Sequence, residues 1–351
     1  TTFGTITLFE QLFLNDTKTL RPFSSSADVT CQEYSLPLQR AITDFGADHA
    51  YGLIPKKLKE HYGIEVPVSS SRKITQSHGS QMLEAEETQA EYPDRAGAQR
   101  IIAETDGCYI PLVEINVPEE AESTDGRKHR KLDWAEARLS LSHEENKVNP
   151  YFAAVIGFPD KVGDQLFDCA FNAGFGKQTY VHAVGDGASW IAQQVDRVFA
   201  SQGNYLIDFS HLMGYLDLAA KRVYPMTHET WMTEQKNKIK DGRISEVVQE
   251  LEPYSEPDSV PRKEAPVRTF CSYVSNRPGQ FEYKSALESN LPIGSGEIES
   301  AHRYVIQYRL KIAGAWWKKE NAQKMLALRV VRQNSQWEDY WEDQFSYLKA
   351  A

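Results

Sequence analysis

LPIGSGEIESAHRYVIQYRLKIAGAWW, Leu291 to Trp317, is the stretch around which the rest of the chain is read. Gly294-Ser295-Gly296 makes a flexible turn, with Ser295 placed to cap the helix that follows. Apolar residues at Ile298, Ala301, Val305, Tyr308 and Ile312 step by threes and fours, which predicts one buried stripe. Off that stripe stand Glu297 and Glu299 near the start, then Arg303, Arg309 and Lys311. Acid first and base later suits the helix dipole and needs no function. The ending adds chemistry: Gly314 breaks the helix, and Trp316 and Trp317 follow directly. A carboxylate, a row of cations and an aromatic pair suit a metal ion, phosphates and bases in turn.

The 351 residues have room for two domains, or for one core with an arm and an insertion. With 41% hydrophobic residues, 11% of all residues aromatic, a sizeable globular core is expected. No apolar run approaches the ~18 residues of a membrane span. TTFGTITLFEQLFLN lacks the charged and apolar blocks of a secretory signal. Cys31, Cys108, Cys169 and Cys271 lie far apart without a C-x-x-C, which speaks against a zinc ribbon or disulfide framework and fits a reducing cytoplasm. A formal charge of −10 does not advertise nucleic-acid binding, so a DNA partner requires locally concentrated cations.

Residues 3–14 alternate weakly and read as a strand or hairpin. From Ser35 to about Glu87 the pattern is helical: a helix ending in Gly63, a connection through Pro67, and a helix starting Ser71-Arg72-Lys73. That spacing fits helix-turn-helix, with Arg72 and Lys73 facing DNA, and it also fits any small helical bundle. RIIAETDGCYIPLVEINV then reads as a buried strand with Asp106 in its middle. Asp106 is either a costly strand carboxylate needing a partner or metal, or part of an Asp-Gly turn. After a charged hairpin tip, DWAEARLSLS and NPYFAAVIGF read as two further strands, and DKVGDQLFDCAFNAGF as a helix.

Tyr180 to Val184 is a short strand stopping at Gly185-Asp186-Gly187, before a helix bearing Trp190, Ile191, Val195 and Val198. Open α/β sheets put ligand-binding groups at such crossovers, although an Asp there also caps helices. NYLIDFSHLMGYLDLAAKR is another strand entering a helix, with Asp208 and His211 at the edge of the same region. Residues 225–291 are mostly amphipathic helix with a Pro-rich linker, and the tail after Trp317 is helical. Asp106, Asp186 and a helix glutamate could converge at one end of a mixed sheet, as two-metal phosphoryl transfer requires. No P-loop, G-x-G-x-x-G, G-x-S-x-G or H-E-x-x-H competes.

TDG at 105–107, DWAEARLS, GDGASWI, DFSH and above all LPIGSGEIES…RLKIAGAWW resemble bacterial insertion-sequence transposases of the DDE class, specifically the Kra-type family, over roughly residues 1–340. The resemblance implies an α/β fold: an RNase H-like mixed sheet flanked by helices. It further implies a helix-turn-helix-like arm at 1–95, core at 96–222 and 291–351, and a helical insertion at 223–290. It also implies Mg²⁺-dependent cleavage at element ends and strand transfer into double-stranded target DNA. Two ions are expected, with Mn²⁺ as a substitute, and pairing two ends suggests a homodimer or higher assembly. The implied metal triad is Asp106, Asp186 and Glu299, the last matching the E of G-S-G-x-x-E; Glu297 is the reserve. Asp208 and His211 match D-x-x-H, and His211 would position a phosphate or leaving group. Arg303, Arg309 and Lys311 would meet DNA backbone, and Trp316 or Trp317 an unpaired base. An inactive DNA-binding descendant, or an RNase H-like nuclease without strand transfer, remains open.

Overall fold

Two short strands, β1 (Phe13–Asn15) and β2 (Lys18–Leu20), pair antiparallel, so the hairpin expected over 3–14 forms later, at 13–20. The computed structural model describes residues 1–7, 9–15, 18–22, 34–85, 92–115, 125 and 128–350. The expected Cys31 and most of the charged hairpin tip lie outside them. Helices α1 (Leu36–Asp48), α2 (Ile54–Tyr62) and α3 (Val68–Ala85) follow. Gly63 ends α2 at φ 65°, a left-handed conformation that glycine adopts without Cβ strain. Leu38, Ile42, Ile54, Leu58, Val66 and Ile74 form the core of this arm. The second helix of the expected pair starts at Val68 rather than Ser71, and Arg72 and Lys73 are exposed on its first turns.

The β-branched run after Gln99 forms β3 (Arg100–Ile115), longer than an average strand, at the centre of a five-stranded sheet. It pairs antiparallel with β4 (Arg130–Glu144), which pairs antiparallel with β5 (Tyr151–Val155). After helix α4 (Pro159–Asn172), β6 (Tyr180–Gly185) lies parallel beside β3. Helix α5 (Ser189–Phe199) crosses to β7 (Gly203–Ile207), parallel to β6, giving the order β5-β4-β3-β6-β7. This is the mixed, RNase H-like sheet flanked by helices that the resemblance implies. Asp106 and Gly107 sit inside the ladder opposite Leu139 and Arg138, so the Asp-Gly pair is strand and not turn.

Helix α6 (Phe209–Val223) leads into α7 (His228–Lys240), α8 (Ile244–Leu251), α9 (Pro266–Ser275) and α10 (Tyr283–Glu288). These are anchored by apolar side chains: Trp231, Phe270 and Tyr283 enter the same core as Ile102 and Leu206. Each such buried side chain contributes on the order of 1.5–3 kcal/mol. The helix of the Gly-Ser-Gly stretch then lies over the sheet, with Ile298 and Val305 in the same buried core as Leu139 and Leu141. It is α-helical over α11 (Gly296–Ala301), widens to a π-helix at His302–Gln307, and closes with one turn, α12 (Tyr308–Leu310). Helices α13 (Lys319–Gln333) and α14 (Trp337–Ala350) complete the chain, with Trp341 fully buried as packing. Among the described residues, no helix is long and apolar enough to cross a membrane.

The π-helical turn corrects the expected stripe. A wider turn inserts extra chain per revolution, so the buried face advances along the sequence. Ile298, Ala301 and Val305 are buried as expected, but beyond them Ile306, Arg309 and Leu310 face inward while Tyr308 is 57% exposed.

His78 of α3 is buried, with Nε2 3.0 Å from Gln39 Oε1 and Nδ1 2.7 Å from the Tyr340 hydroxyl. Burial pushes its pKa down from 6.5 to about 4, so the folded chain holds it neutral. The unfolded chain takes up this proton first, so the stability from the neutral ring is complete above pH 6.5 and is lost as pH falls toward 4. The loss should reach up to about 3 kcal/mol. Urea unfolding across that window should show a steeper fall for the parent than for His78→Gln; parallel curves would contradict this account.

Candidate active site

The strand register brings the acids of the parallel strands to one level. The last pairs are Glu104↔Val184 between β3 and β6, and Gly185↔Ile207 between β6 and β7. Asp106 and Asp186 each lie two residues beyond the first of these pairs. Asp186 and Asp208 each lie one residue beyond the second. All three therefore stand at the level just beyond the last parallel pairs, on neighbouring chain segments, with β3 alone continuing further. Asp186 is partly exposed, and its Oδ1 accepts a 2.8 Å hydrogen bond from Ala188 N, which shapes the crossover into α5.

Two carboxyls fix the start of α11 over this edge. Glu104 is 2% exposed, and its Oε2 accepts from Ile298 N at 2.8 Å, satisfying one of the helix's free first-turn N–H groups. Burial, partly opposed by that hydrogen bond and assisted by the Glu297 charge, pushes the Glu104 carboxyl up to about 8. Asp208 caps α6 through Oδ1, which accepts from His211 N and the Ser210 hydroxyl. Its Oδ2 accepts from Ser295 N at 2.6 Å and from the Ser295 hydroxyl at 2.8 Å. Burial would raise its pKa, but these hydrogen bonds hold it below the usual carboxylate range. Ser295 consequently spends its hydroxyl on Asp208 and does not cap its own helix, contrary to expectation.

The two helix glutamates have different surroundings. Glu297 Oε2 lies 3.0 Å from His143 Nε2 on β4, and the imidazole holds the carboxyl below its usual range. Glu299 is exposed, one helical turn after Ser295 and one turn before His302. At about 100° per residue, positions 295, 299 and 302 share one flank of the helix while 297 lies on the other. Ser295 on that flank holds Asp208, and His302 Nε2 is 3.4 Å from Asp106 Oδ2. Burial disfavours charge on His302, but Asp106 and Cys108 outweigh it and push the ring up to about 9, so an imidazolium faces Asp106 at neutral pH.

The helical insertion grips the Asp186 loop from behind. The Tyr273 hydroxyl on α9 donates to Asp186 O at 3.0 Å, and Arg277 Nε donates to Gly187 O at 3.0 Å. Gly187 N donates to the Tyr205 hydroxyl at 2.9 Å. Gly187 has φ 84°, and a Cβ there would come within 2.0 Å of the Tyr273 hydroxyl.

The remaining expected residues divide by exposure. His211 is exposed at the start of α6, its ring 5.5 Å from that of Tyr215. Arg303, Lys311 and Trp316 are exposed; Arg309 and Trp317 are not. Arg309 is 2% exposed, donates to Gly46 O at 2.9 Å, and lies 4.8 Å from the rings of both Tyr51 and Trp317. Its expected role at DNA backbone is therefore corrected to that of a core clamp between arm and helix, a consequence of the π-turn. Trp317 is likewise core and offers no face to a base. Among the described residues, no three His, Cys, Asp or Glu side chains form a group that could hold a metal ion. Glu104, His143 and His302 escaped the sequence reading, although alternation puts Ile102, Glu104 and Asp106 on one side of β3.

Gly187→Ala should cost about 1–3 kcal/mol by urea unfolding, from both positive φ and overlap with Tyr273. Tyr273→Phe should cost only about 1 kcal/mol, the value of one hydrogen bond. Equal stability of Gly187→Ala and the parent would refute the grip on this loop.

The chain matches no protein-family model and no curated protein. Among solved structures it is similar to the Drosophila P element transposase strand transfer complex, at 9% identity and a TM-score of 0.30, covering 89% of this chain and 81% of that chain. A likeness at that score carries no argument about what this chain does.

Proposed function

We propose that this chain is a DDE-type DNA transposase, related to the Kra-type insertion-sequence enzymes, that cuts element ends and joins them to target DNA. One observation carries the reading. Asp106 and Asp186 stand at one level on neighbouring parallel strands, and Glu299 shares a helix flank with Ser295 and His302, both held at that same edge. The donor set is all carboxylate oxygen, the chemistry that suits Mg²⁺ or Mn²⁺. Asp106, Asp186 and Glu299 would hold the ions, which supply activation of the attacking water or 3′-hydroxyl and stabilisation of the leaving oxygen. Glu297, committed to His143, is the poorer third acid.

The chain's own residues prepare the site. Glu104 and Asp208 fix the helix carrying Glu299, and the His302 ring lies 3.4 Å from Asp106 Oδ2. His211, exposed beside Asp208, would position a scissile phosphate. Arg303 and Lys311 would meet backbone phosphates, and Arg72 and Lys73, at the start of the second helix of the arm, would read the element ends. A second copy would bring the paired end. A second reading is a transposase-derived protein that binds DNA without cutting it.

Nicking of supercoiled plasmid in Mn²⁺ tests the choice without knowledge of the end sequence. Asp106→Asn, Asp186→Asn and Glu299→Gln should each slow nicking about a thousandfold, and Glu297→Gln by less than about tenfold. Plasmid ends joined to a second duplex would separate strand transfer from simple nuclease action. Nicking indifferent to all three acids, or absent from the parent while duplex binding persists, would overturn the proposal in favour of the non-cutting reading.

A further inference from the structure

We propose that Arg277, two residues beyond α9, binds a backbone phosphate of the DNA strand held at Asp186, on the same strand as the phosphate assigned to His211. The inference rests on the transposase reading and names a further substrate contact for it. Nε of Arg277 donates to Gly187 O at 3.0 Å and Nη1 donates to Tyr273 O at 3.1 Å, while Cζ lies 4.0 Å from the centre of the Tyr273 ring. Two carbonyls and one ring face thus fix the plane of the guanidinium. Nη2 is left over from that grip. Among the described residues it has no hydrogen-bond partner, and it is not enclosed. It still carries two N–H donors.

The charge of Arg277 is unmatched as well. Among the described residues, the other partly exposed arginines each pair with a carboxylate: Arg40 with Glu338, Arg100 with Glu145, Arg138 with Glu136, Arg268 with Asp258 and Arg332 with Asp44. Arg277 is partly exposed too and pairs with none. A guanidinium drawn partly out of water loses hydration that a counter-charge restores. The acids of this edge do not supply one: Asp208 spends Oδ1 on Ser210 and His211 and Oδ2 on Ser295, and Asp186 Oδ1 takes Ala188 N. Position then makes the missing anion a phosphate. Gln280 O accepts from Ile207 N at 2.9 Å, so the segment carrying Arg277 runs beside the end of β7, next to the level of Asp186 and Asp208. Tyr215 stacks on the Tyr273 ring at 4.3 Å, and because two groups cannot share one face, Arg277 and Tyr215 sandwich that ring. His211 continues the row, 5.5 Å from Tyr215 and 6.4 Å from Tyr273, whose hydroxyl holds Asp186 O. Measured through the Tyr273 ring, Arg277 and His211 are at most about 10 Å apart, roughly three steps of one strand at ~3.4 Å of rise each. Two groups at that separation beside the second acid can hold a single strand at two phosphates.

Anisotropy of a labelled blunt duplex on the full chain in EDTA, titrated over a range of salt, tests the contact. Arg277→Gln should weaken binding about tenfold and flatten the plot of log affinity against log salt by about one unit, the share of one phosphate. Arg277→Lys keeps the charge without the Gly187 bond and should retain most of the slope. Tyr273→Phe loosens the same loop without touching a charge and should keep the parent's slope. A purely structural Arg277 would instead give Gln and Lys variants with equal losses of affinity and the parent's slope, and that result overturns the proposal. Should Arg277→Gln fail to fold, the parent chain decides. Phenylglyoxal, an arginine-selective reagent, should modify Arg277 in the free chain, and bound duplex should block it. Modification unchanged by duplex, or absent from the free chain, would equally overturn the proposal. Loss of nicking with the Arg277 effect on slope intact would fail the catalytic reading alone. Nicking that depends on the acids, with the parent's slope in Arg277→Gln, would fail this contact alone.

Discussion

The arrangement of this molecule depends on how the helix beginning at Gly296 is fastened to the ends of the parallel strands. A helix start leaves backbone N–H groups unmatched, and a strand end leaves a side chain without a neighbour. Glu104 from β3 meets the Ile298 N–H, and Asp208 from the end of β7 meets Ser295. These bonds join segments 194 and 87 residues apart in sequence. They fix which side of the helix looks at the acids, and so which glutamate stands on the flank shared with Ser295 and His302. Removing either would leave a buried polar group unmatched as well as freeing the helix.

The π-helical turn at His302–Gln307 has effects at both of its ends. Before it, His302 is brought beside Asp106. After it, Arg309 is swung into the interior, where its guanidinium lies between Tyr51 of the arm and Trp317. One cation of the expected row thereby becomes a structural link from the helical arm to the Trp317 side of the core, while Arg303 and Lys311 remain outside. The insertion makes a comparable link from the other side. Its Tyr273 and Arg277 hold the carbonyls of Asp186 and Gly187, so the loop carrying the second acid is backed by residues far along the chain.

Much of the sheet was legible because β-branched alternation and Gly-Asp-Gly punctuation are local signals. The strand from Tyr180 and the crossover at Asp186 needed only neighbouring residues to be read. Glu104 was not legible as a helix anchor, since its partner is a backbone N–H that no sequence pattern announces. The stripe over Tyr308 and Ile312 failed because it assumed a constant 3.6-residue turn, and neither glycine nor proline marks the wide turn in HRYVIQ. Trp316 and Trp317 looked alike in sequence; an isolated parallel bridge between Trp317 and Leu112 buries Trp317, while Trp316 stays exposed.

Anomalous diffraction from Mn²⁺ in crystals of the chain bound to duplex DNA is the most direct test of the central claim, that Asp106, Asp186 and Glu299 form one metal site. The account predicts a peak within bonding distance of oxygens from all three, with Glu297 still on His143. A peak coordinated by Glu297 in place of Glu299, or no peak at the sheet edge with DNA present, would contradict it.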